Sequence, residues 1–204
     1  MKKIGFLLSG SGSTLENLLD CQKRGDLKGE VSVVISSKPG VFGLERAENN
    51  QIPNFVVEYK KYKNNLEEYS QKITKILIDY ECELVVMGGF LSLYLIPEQF
   101  YNKVLNVHPA LIPAFCGKGM FGMKVHKAVI ESGVKVSGPT VHIVNNEYDK
   151  GPILMQGVVE ILDSDTPELL AKKVQAKERE IYPIAINNML LEKYDVQGNR
   201  VFLK

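Results

Sequence analysis

An asparagine and a histidine stand two residues apart at the end of an apolar run, where residues 105–109 read Leu-Asn-Val-His-Pro. The run is typical of a buried strand, and Pro109 ends it because proline has no backbone N–H. Residues two apart on a strand face the same side of a sheet. Asn106 and His108 are therefore expected together at the carboxyl end of a strand, where open α/β sheets bind ligands.

An amide beside an imidazole could stabilise an oxyanion. The carboxamide of Asn106 donates hydrogen bonds, and the imidazole of His108 can donate one or move a proton. A tetrahedral intermediate with a negatively charged oxygen needs such donors. The alternative is a histidine that only bonds a neighbouring backbone group at the end of the strand.

An acid further along the chain could complete this site. Asp149 lies in a polar loop before a Gly-Pro pair, and it would reach the crevice if the strands predicted at 104–107 and 141–144 are neighbours. We expect an acid there to orient His108 and raise its pKa. The alternative is that Asp149 only stabilises a turn.

The other histidines and the cysteines offer weaker candidates. His126 lies in a predicted amphipathic helix, which favours a surface or structural role, and His142 alternates within a strand as an interior or supporting group. The cysteines are odd in number and lack the spacing of a zinc site or a disulfide framework. Cys116 could act as a nucleophile only with a partner, so inert packing is favoured. The sequence predicts no metal site.

The amino-terminal strand runs into a glycine-rich turn. Residues 9–14 read Ser-Gly-Ser-Gly-Ser-Thr, after an apolar run at 4–8 and before leucines at helical spacing. Backbone N–H groups and the dipole of a helix start favour a phosphate there. No Gly-Lys-Ser/Thr follows and the dinucleotide glycine pattern is incomplete, which favours a single monophosphate. The alternative is a tight turn without a ligand.

Strands and helices alternate through the first half of the chain. The predicted strands lie at 4–8, 31–35, 54–57, 84–87 and 104–107, and the predicted helices begin at residues 15, 42 and 66. This alternation predicts an α/β fold, a Rossmann-like, mostly parallel twisted sheet with helices on both faces.

The second half adds antiparallel strands. A glycine-rich loop and a short helix precede two predicted strands, one at 134–144 that is broken by Gly138-Pro139 and one at 153–161, which are close enough to form a hairpin. A long helix is predicted over 166–191, capped by Asp165 and kinked or split at Pro183. A terminal hairpin follows.

Composition narrows the class of protein. The 204 residues suit one α/β domain, and 45% hydrophobic with 24% charged residues is an ordinary globular balance. No apolar run approaches a membrane span, and the net charge of +1 argues against a broad nucleic-acid surface. The basic, apolar amino terminus is interpreted as a first strand of a cytoplasmic protein. We expect small-molecule partners, no nucleic acid and no membrane, with the chain a monomer or homodimer.

Seven short motifs are spread over nearly the whole chain. They are Ser-Gly-Ser-Gly-Ser-Thr at 9–14, Phe-Gly-Leu-Glu-Arg-Ala at 42–47, Gly-Gly-Phe at 88–90, Asn-Val-His-Pro-Ala-Leu-Ile-Pro at 106–113, Val-His-Ile-Val at 141–144, Asp-Lys-Gly-Pro at 149–152 and Ile-Tyr-Pro at 181–183. Together they resemble the phosphoribosylglycinamide formyltransferases, a folate-dependent family of purine synthesis. Other formyltetrahydrofolate enzymes share the Asn-x-His-Pro segment and the later Asp, whereas the phosphate turn and the length favour this family.

The resemblance implies that 10-formyltetrahydrofolate, as a co-substrate, gives its formyl group to the amine of glycinamide ribonucleotide without a metal. It implies a catalytic trio of Asn106, His108 and Asp149. The implied contacts to the ribonucleotide are Gly12, Ser13, Thr14 and Glu178. The implied folate site comprises Leu91, Ser92, Leu93, Tyr94, Asn106 and the backbone of residues 145–151.

We expect one domain over 1–204, with a phosphate- and nucleotide-binding half at 1–103 and a catalytic, folate-binding half at 104–204. Two features depart from the family. Some relatives carry an arginine where Ser92 stands and another near Leu66, and the Gly-Lys-Gly-Met-Phe-Gly insertion in the glycine-rich loop has no role that the sequence supplies.

Three other functions are weighed against this one. A formyltetrahydrofolate deformylase would use the same trio with water as acceptor, but is expected to carry an extra amino-terminal domain. A methionyl-tRNA formyltransferase is expected to add a carboxyl-terminal RNA-binding domain, and the near-neutral charge disfavours tRNA. A non-catalytic nucleotide-binding module would use only the glycine-rich turn, and it would not explain the convergence of Asn106, His108 and Asp149.

Overall fold

The computed structural model describes residues Met1–Lys204, whose backbone forms eleven strands and five α-helices. The strands are β1 Lys2–Leu8, β2 Gly29–Ser36, β3 Asn54–Val56, β4 Leu84–Met87, β5 Val104–His108, β6 Val136–Ser137, β7 Thr140–Ile143, β8 Ile153–Gln156, β9 Val159–Glu160, β10 Tyr194–Gln197 and β11 Arg200–Leu203. The helices are α1 Ser13–Arg24, α2 Phe42–Asn49, α3 Leu66–Asp79, α4 Met123–Ser132 and α5 Pro167–Leu190.

Seven of the strands form one sheet in the order β3-β2-β1-β4-β5-β7-β8. Strands β1 to β5 pair in parallel, whereas β7 pairs antiparallel with β5 and β8 antiparallel with β7. This confirms the predicted Rossmann-like, mostly parallel sheet with an antiparallel addition. The strand order reverses between β1 and β4, so the ligand crevice is expected outside their carboxyl ends.

Apolar side chains pack against both faces of the sheet. Ile4, Phe6 and Leu8 of β1 point to the face that α1, α2 and α5 cover, while Leu7 points to the face that α3 covers. Because side chains alternate along a strand, a central strand covered on both faces must be apolar throughout. The prediction of helices on both faces is confirmed.

Helix α5 continues through Pro183, so of the predicted kink or split the structure excludes the split. A proline inside a helix leaves the carbonyl four residues earlier without its N–H partner. Here that carbonyl belongs to Arg179, and the side-chain amide of Asn17 in α1 donates to it at 3.1 Å. A contact between two helices therefore satisfies the group that the proline leaves free.

The predicted cap of α5 is also wrong by one residue. The side chain of Thr166, and not that of Asp165, accepts the backbone N–H of Leu169 at 3.3 Å. Asp165 accepts instead from the N–H of Leu162 at 2.9 Å and from the ammonium of Lys173 at 2.5 Å. Its carboxylate stabilises the turn before the helix.

The strands predicted at 134–144 and 153–161 each divide in two. A Cβ atom on Gly138 would overlap the carbonyl oxygen of Gly157, so the two backbones can approach this closely only at a glycine. On one side of this crossing β7 and β8 form the predicted hairpin, and on the other β6 and β9 pair antiparallel as a separate ribbon.

The predicted terminal hairpin is present, since β10 and β11 pair antiparallel around a turn with Gly198 at φ +60°. Among the helices, none combines the length and the apolar character that crossing a bilayer would require.

Candidate active site

A cavity of about 620 Å³ lies at the carboxyl ends of β1, β4 and β5, where the strand order reverses. Its walls come from the ends of these strands, the loop over 117–122, helices α4 and α5, and the loop that holds Asp149. A larger hollow of about 770 Å³ at the opposite ends of the strands contains none of the predicted site residues.

Strand β5 brings Asn106 and His108 to this cavity, as their spacing predicted. The expectation that strands 104–107 and 141–144 are neighbours is confirmed, because β5 pairs with β7. In that pairing Asn106 lies opposite His142. The end of β5 therefore meets a second histidine as well as the loop of Asp149.

Asp149 lies between the two histidines. Its Oδ2 is 3.5 Å from Nδ1 of His108, and its Oδ1 is 3.6 Å from Nε2 of His142. The backbone N–H of Gly117 donates to Oδ2 at 2.8 Å. Burial raises the pKa of Asp149, but the two neighbouring imidazoles when they are charged, together with the N–H of Gly117, hold that pKa below its usual value. The group is therefore a carboxylate at neutral pH.

His108 is held from both sides of its ring. Nε2 lies 2.9 Å from the carbonyl oxygen of Phe115, to which it donates, and Nδ1 faces Asp149. Burial lowers the pKa of His108, and Asp149 and the Phe115 carbonyl raise it without restoring its usual value. The predicted effect of Asp149, which raises the pKa of His108, is therefore present, but burial of a side chain that is only 5% exposed outweighs it.

His142 is an interior histidine that holds Asn106. Its Nδ1 donates to the carbonyl of Ile143 at 3.0 Å, so in the neutral ring Nε2 is an acceptor. Nε2 lies 3.2 Å from Nδ2 of Asn106, which donates to it. An amide nitrogen carries two hydrogens, and only one of those on Nδ2 is bound to the ring. The other is free for a ligand.

The glycine-rich turn leads to the other end of the cavity. Ser13 and Thr14 line it, and Gly12 precedes α1 with φ +72°. A Cβ on Gly12 would lie 2.7 Å from the Cα of Gly43, so glycine is required there for two reasons. The N-terminus of α1 thus points its free N–H groups toward the cavity.

Helix α5 closes the same end with polar side chains. Thr14 Oγ1 donates to the carboxylate of Glu178 at 2.6 Å, and Gln175 donates to Ser13 Oγ at 3.3 Å. Burial raises the pKa of Glu178, while the bond from Thr14 lowers it. Ser13, Thr14 and Glu178, predicted from two places in the sequence, therefore line one wall.

The predicted folate segment is divided between two spaces. Leu91 lines the main cavity, whereas Ser92, Leu93 and Tyr94 line an adjoining recess of about 70 Å³ that Asn106 and Asp149 also border. The phenol of Tyr94 is buried, with its hydroxyl 2.8 Å from Thr74 Oγ1. Its ring therefore belongs mainly to the core beneath α3.

Sequence reasoning missed several lining residues. Tyr148, Gln175, Met120 and Phe121 line the cavity, and so does Lys118, its only lysine or arginine. The insertion therefore forms part of the wall, and Phe115 before it adopts a left-handed backbone with φ +51°. Three glycines of the loop have positive φ. These glycines were the feature of the sequence that indicated a specific loop conformation.

His126 is buried and lines the cavity, so the surface role that its helix suggested is wrong. The periodicity of α4 contained the correct signal. Val125 and Val129 are fully buried four residues apart, and His126 follows Val125 on the same inward arc. Its polarity concealed this position.

We expect Gly151→Ala to lower both stability and activity. A Cβ at this position would overlap the carbonyl oxygen of Ile143 at the end of β7, so the loop that holds Asp149 must shift. Overpacking of this kind costs about 1–3 kcal/mol, or a fall in Tm of roughly 5 °C. Thermal unfolding and kcat of the same sample test this. Gly198→Asn in the terminal hairpin is the control, since it has open space and asparagine tolerates positive φ, and an unchanged Gly151→Ala protein would contradict the prediction.

Comparison with known proteins places the chain among relatives of one kind. A family described as formyl transferase matches residues 2–186. Phosphoribosylglycinamide formyltransferase of Haemophilus influenzae is 34% identical over 206 residues, covering 100% of this chain and 94% of that protein. A chloroplastic phosphoribosylglycinamide formyltransferase of Arabidopsis thaliana is 39% identical over 183 residues, or 89% of this chain. This chain spans only 63% of the length of the Arabidopsis protein.

A solved structure resembles the whole chain. Glycinamide ribonucleotide transformylase 1 from Symbiobacterium toebii superposes with a TM-score of 0.92 at 36% identity. The superposition covers 100% of this chain and 94% of that one. The overall fold of this chain therefore recurs in a protein that is 36% identical to it.

Proposed function

The chain belongs to the formyl transferase family, and from that membership we propose that it transfers the formyl group of 10-formyltetrahydrofolate to the amine of 5'-phosphoribosylglycinamide. The observation that carries the proposal is the content of one cavity. The trio of Asn106, His108 and Asp149 borders the same space as the helix N-terminus at Ser13. A phosphate and a reacting carbonyl can therefore bind there at the same time.

In this proposal the amine attacks the formyl carbon and gives a tetrahedral oxyanion. The free hydrogen of Asn106 Nδ2 and the imidazole of His108 donate to that oxygen. Because Nε2 of His108 is bound to the Phe115 carbonyl, Nδ1 is the nitrogen available for chemistry. Each such donor is worth about 10²–10³ in rate.

Asp149 favours the charged form of His108. Its carboxylate lies beside Nδ1 and opposes the effect of burial on that pKa. The intermediate then collapses, the bond between the formyl carbon and the folate nitrogen breaks, and the electron pair stays on that nitrogen. The amine loses a proton and the folate nitrogen gains one, along a path supplied by Asp149 and an ordered water. In the tetrahedral intermediate the positive charge of His108 then lies next to the negative charges of Asp149 and the oxyanion.

The two substrates occupy different parts of the site. The phosphate binds Gly12, Ser13 and Thr14 at the N-terminus of α1, with Glu178 contacting the ribonucleotide beside it. The folate takes the recess bordered by 92–94 and the mouth near Tyr148. Asn106 borders both spaces, which supports binding of the formyl group between them.

The test follows the absorbance of the folate in the presence and absence of glycinamide ribonucleotide. Release of tetrahydrofolate only when the ribonucleotide is present supports formyl transfer. Release that is independent of the ribonucleotide would indicate a deformylase, and no release at all would leave a nucleotide-binding module. Mass spectrometry of the formylated ribonucleotide confirms the product.

Three expectations about the wider setting remain predictions. The chain is expected in the cytoplasm, without nucleic-acid or membrane partners, as a monomer or homodimer. The division into halves at 103 and 104 also remains a prediction, and β4 and β5 on either side of it pair within one sheet. Light scattering during size-exclusion chromatography measures the oligomeric state.

A further inference from the structure

His126 is an imidazole without any hydrogen-bond partner inside the protein. Its side chain is buried at 5% relative exposure, and its Nδ1 has no donor or acceptor within reach. The residue lines the cavity, and Nε2, unlike Nδ1, is not fully enclosed, so Nε2 is the nitrogen that can reach a ligand there. Buried polar groups are nearly always paired, so an unpaired ring at a ligand cavity points to a ligand.

The state of the ring defines what it can bind. Burial lowers the pKa of His126, and the charge of nearby His108 lowers it further, so the ring is neutral with one proton. A proton on Nδ1 would be a buried donor without an acceptor, which proteins avoid. The proton therefore lies on Nε2, and the group that pairs with it is an acceptor oxygen.

Position distinguishes between the two substrates. Helix α4 packs against α5, which carries Gln175 and Glu178, the residues bonded to the phosphate turn. His126 does not border the recess assigned to the folate. Because His126 lines the same cavity as Gln175 and Glu178, its position favours the ribonucleotide as the substrate that it contacts.

We propose that His126 is a substrate-contacting residue whose Nε2–H donates to an oxygen of the ribonucleotide, a ribose hydroxyl or the glycinamide carbonyl, and thereby orients the amine toward the formyl carbon. This rests on the proposed function. An uncharged N–H donor suits these uncharged oxygens, because it selects them by hydrogen-bond geometry. The negatively charged phosphate is bound instead by the N-terminus of α1.

A pair of variants with similar shape tests the donor alone. Glutamine and methionine have side chains of similar length, but only glutamine can place an N–H near the position of Nε2. We expect His126→Met to raise KM for the ribonucleotide about 3- to 10-fold, the range of one neutral hydrogen bond, with KM for the folate within about 2-fold. His126→Gln should recover most of the affinity. Calorimetric titration of ribonucleotide without folate should show the same ranking.

The control is Lys127→Met, which changes the next residue of α4 on its exposed face and should leave both KM values unchanged. Equal losses for both substrates, or a glutamine variant no better than the methionine variant, would assign His126 a packing role and overturn the inference. If both variants bind the ribonucleotide like the unaltered protein, the inference also fails. If the unaltered protein does not transfer the formyl group, the proposed function itself is refuted. The two failures can be distinguished, because the unaltered protein is assayed before any variant is compared with it.

Discussion

His108→Ala is expected to lower kcat by about 10²–10³, while KM for the ribonucleotide changes by less than about 3-fold, because the lost donor acts on the oxyanion and not on the phosphate. Asp149→Asn should cause a loss of similar order. It retains the shape of the side chain but removes the negative charge beside Nδ1. Stopped-assay kinetics with each substrate varied in turn measure both parameters.

The double variant tests whether the two residues act as a unit. If Asp149 works through His108, the combined variant should be only slightly worse than the more damaged single one. Losses that multiply would show two independent roles and contradict the pairing. Circular dichroism and thermal unfolding of all three proteins establish that they fold alike.

The pH dependence of Asp149→Asn provides a second measure. Activity that needs protonated His108 is present below the pKa of that group and is lost as the pH rises through it. Burial already lowers this pKa, and the Asp149 charge opposes the lowering, so its removal should lower the pKa further. The alkaline limb of the kcat/KM profile should therefore move to lower pH. A limb that stays in place would mean that Asp149 does not control His108.

Ser13→Asp should have the largest effect on binding. Its carboxylate would stand at the N-terminus of α1, where the proposed phosphate contacts backbone N–H groups. Repulsion between a carboxylate and a phosphate at this range is of the order of 3–4 kcal/mol, or a rise in ribonucleotide KM of about 100-fold or more. KM for the folate should stay within about 2-fold, because the recess bordered by 92–94 does not include Ser13.

Ser13→Asn is the matched control. It has nearly the shape of aspartate without its charge, so it should raise KM for the ribonucleotide by less than about 10-fold. Direct titration with the ribonucleotide measures affinity apart from turnover. If Asp and Asn at this position behave alike, the effect is steric and the turn does not hold the phosphate. Equal weakening of both substrates would indicate a folding defect.

The sequence alone determined the features that depend on local pattern. The apolar runs and their punctuation by Gly and Pro placed the strands, and the alternation with helices predicted the parallel sheet. The period of two residues along β5 placed Asn106 and His108 on one face before any packing was known. These predictions succeeded because a strand or a helix reports its own buried face in its own residues.

Contacts between distant segments were decided only by the tertiary structure. The side chain of Asn17 donates to the carbonyl that Pro183 leaves free, although the two residues that form this bond are 162 positions apart in the sequence. No local pattern encodes that bond. The pKa of His108 also depends on contacts between distant segments. Its neighbour Asp149 could be guessed, but the depth of burial that outweighs it depends on every segment that covers the ring.

His126 shows the same limit at a candidate functional residue. The periodicity of its helix placed His126 next to the inward-facing Val125, but its polarity suggested a surface or structural role. The packing of α4 on α5 buries the ring and leaves Nδ1 without a partner. Local pattern thus determined which elements form, whereas the fold decided what surrounds each side chain, because burial and charge are sums over neighbours that the chain brings together only when it is folded.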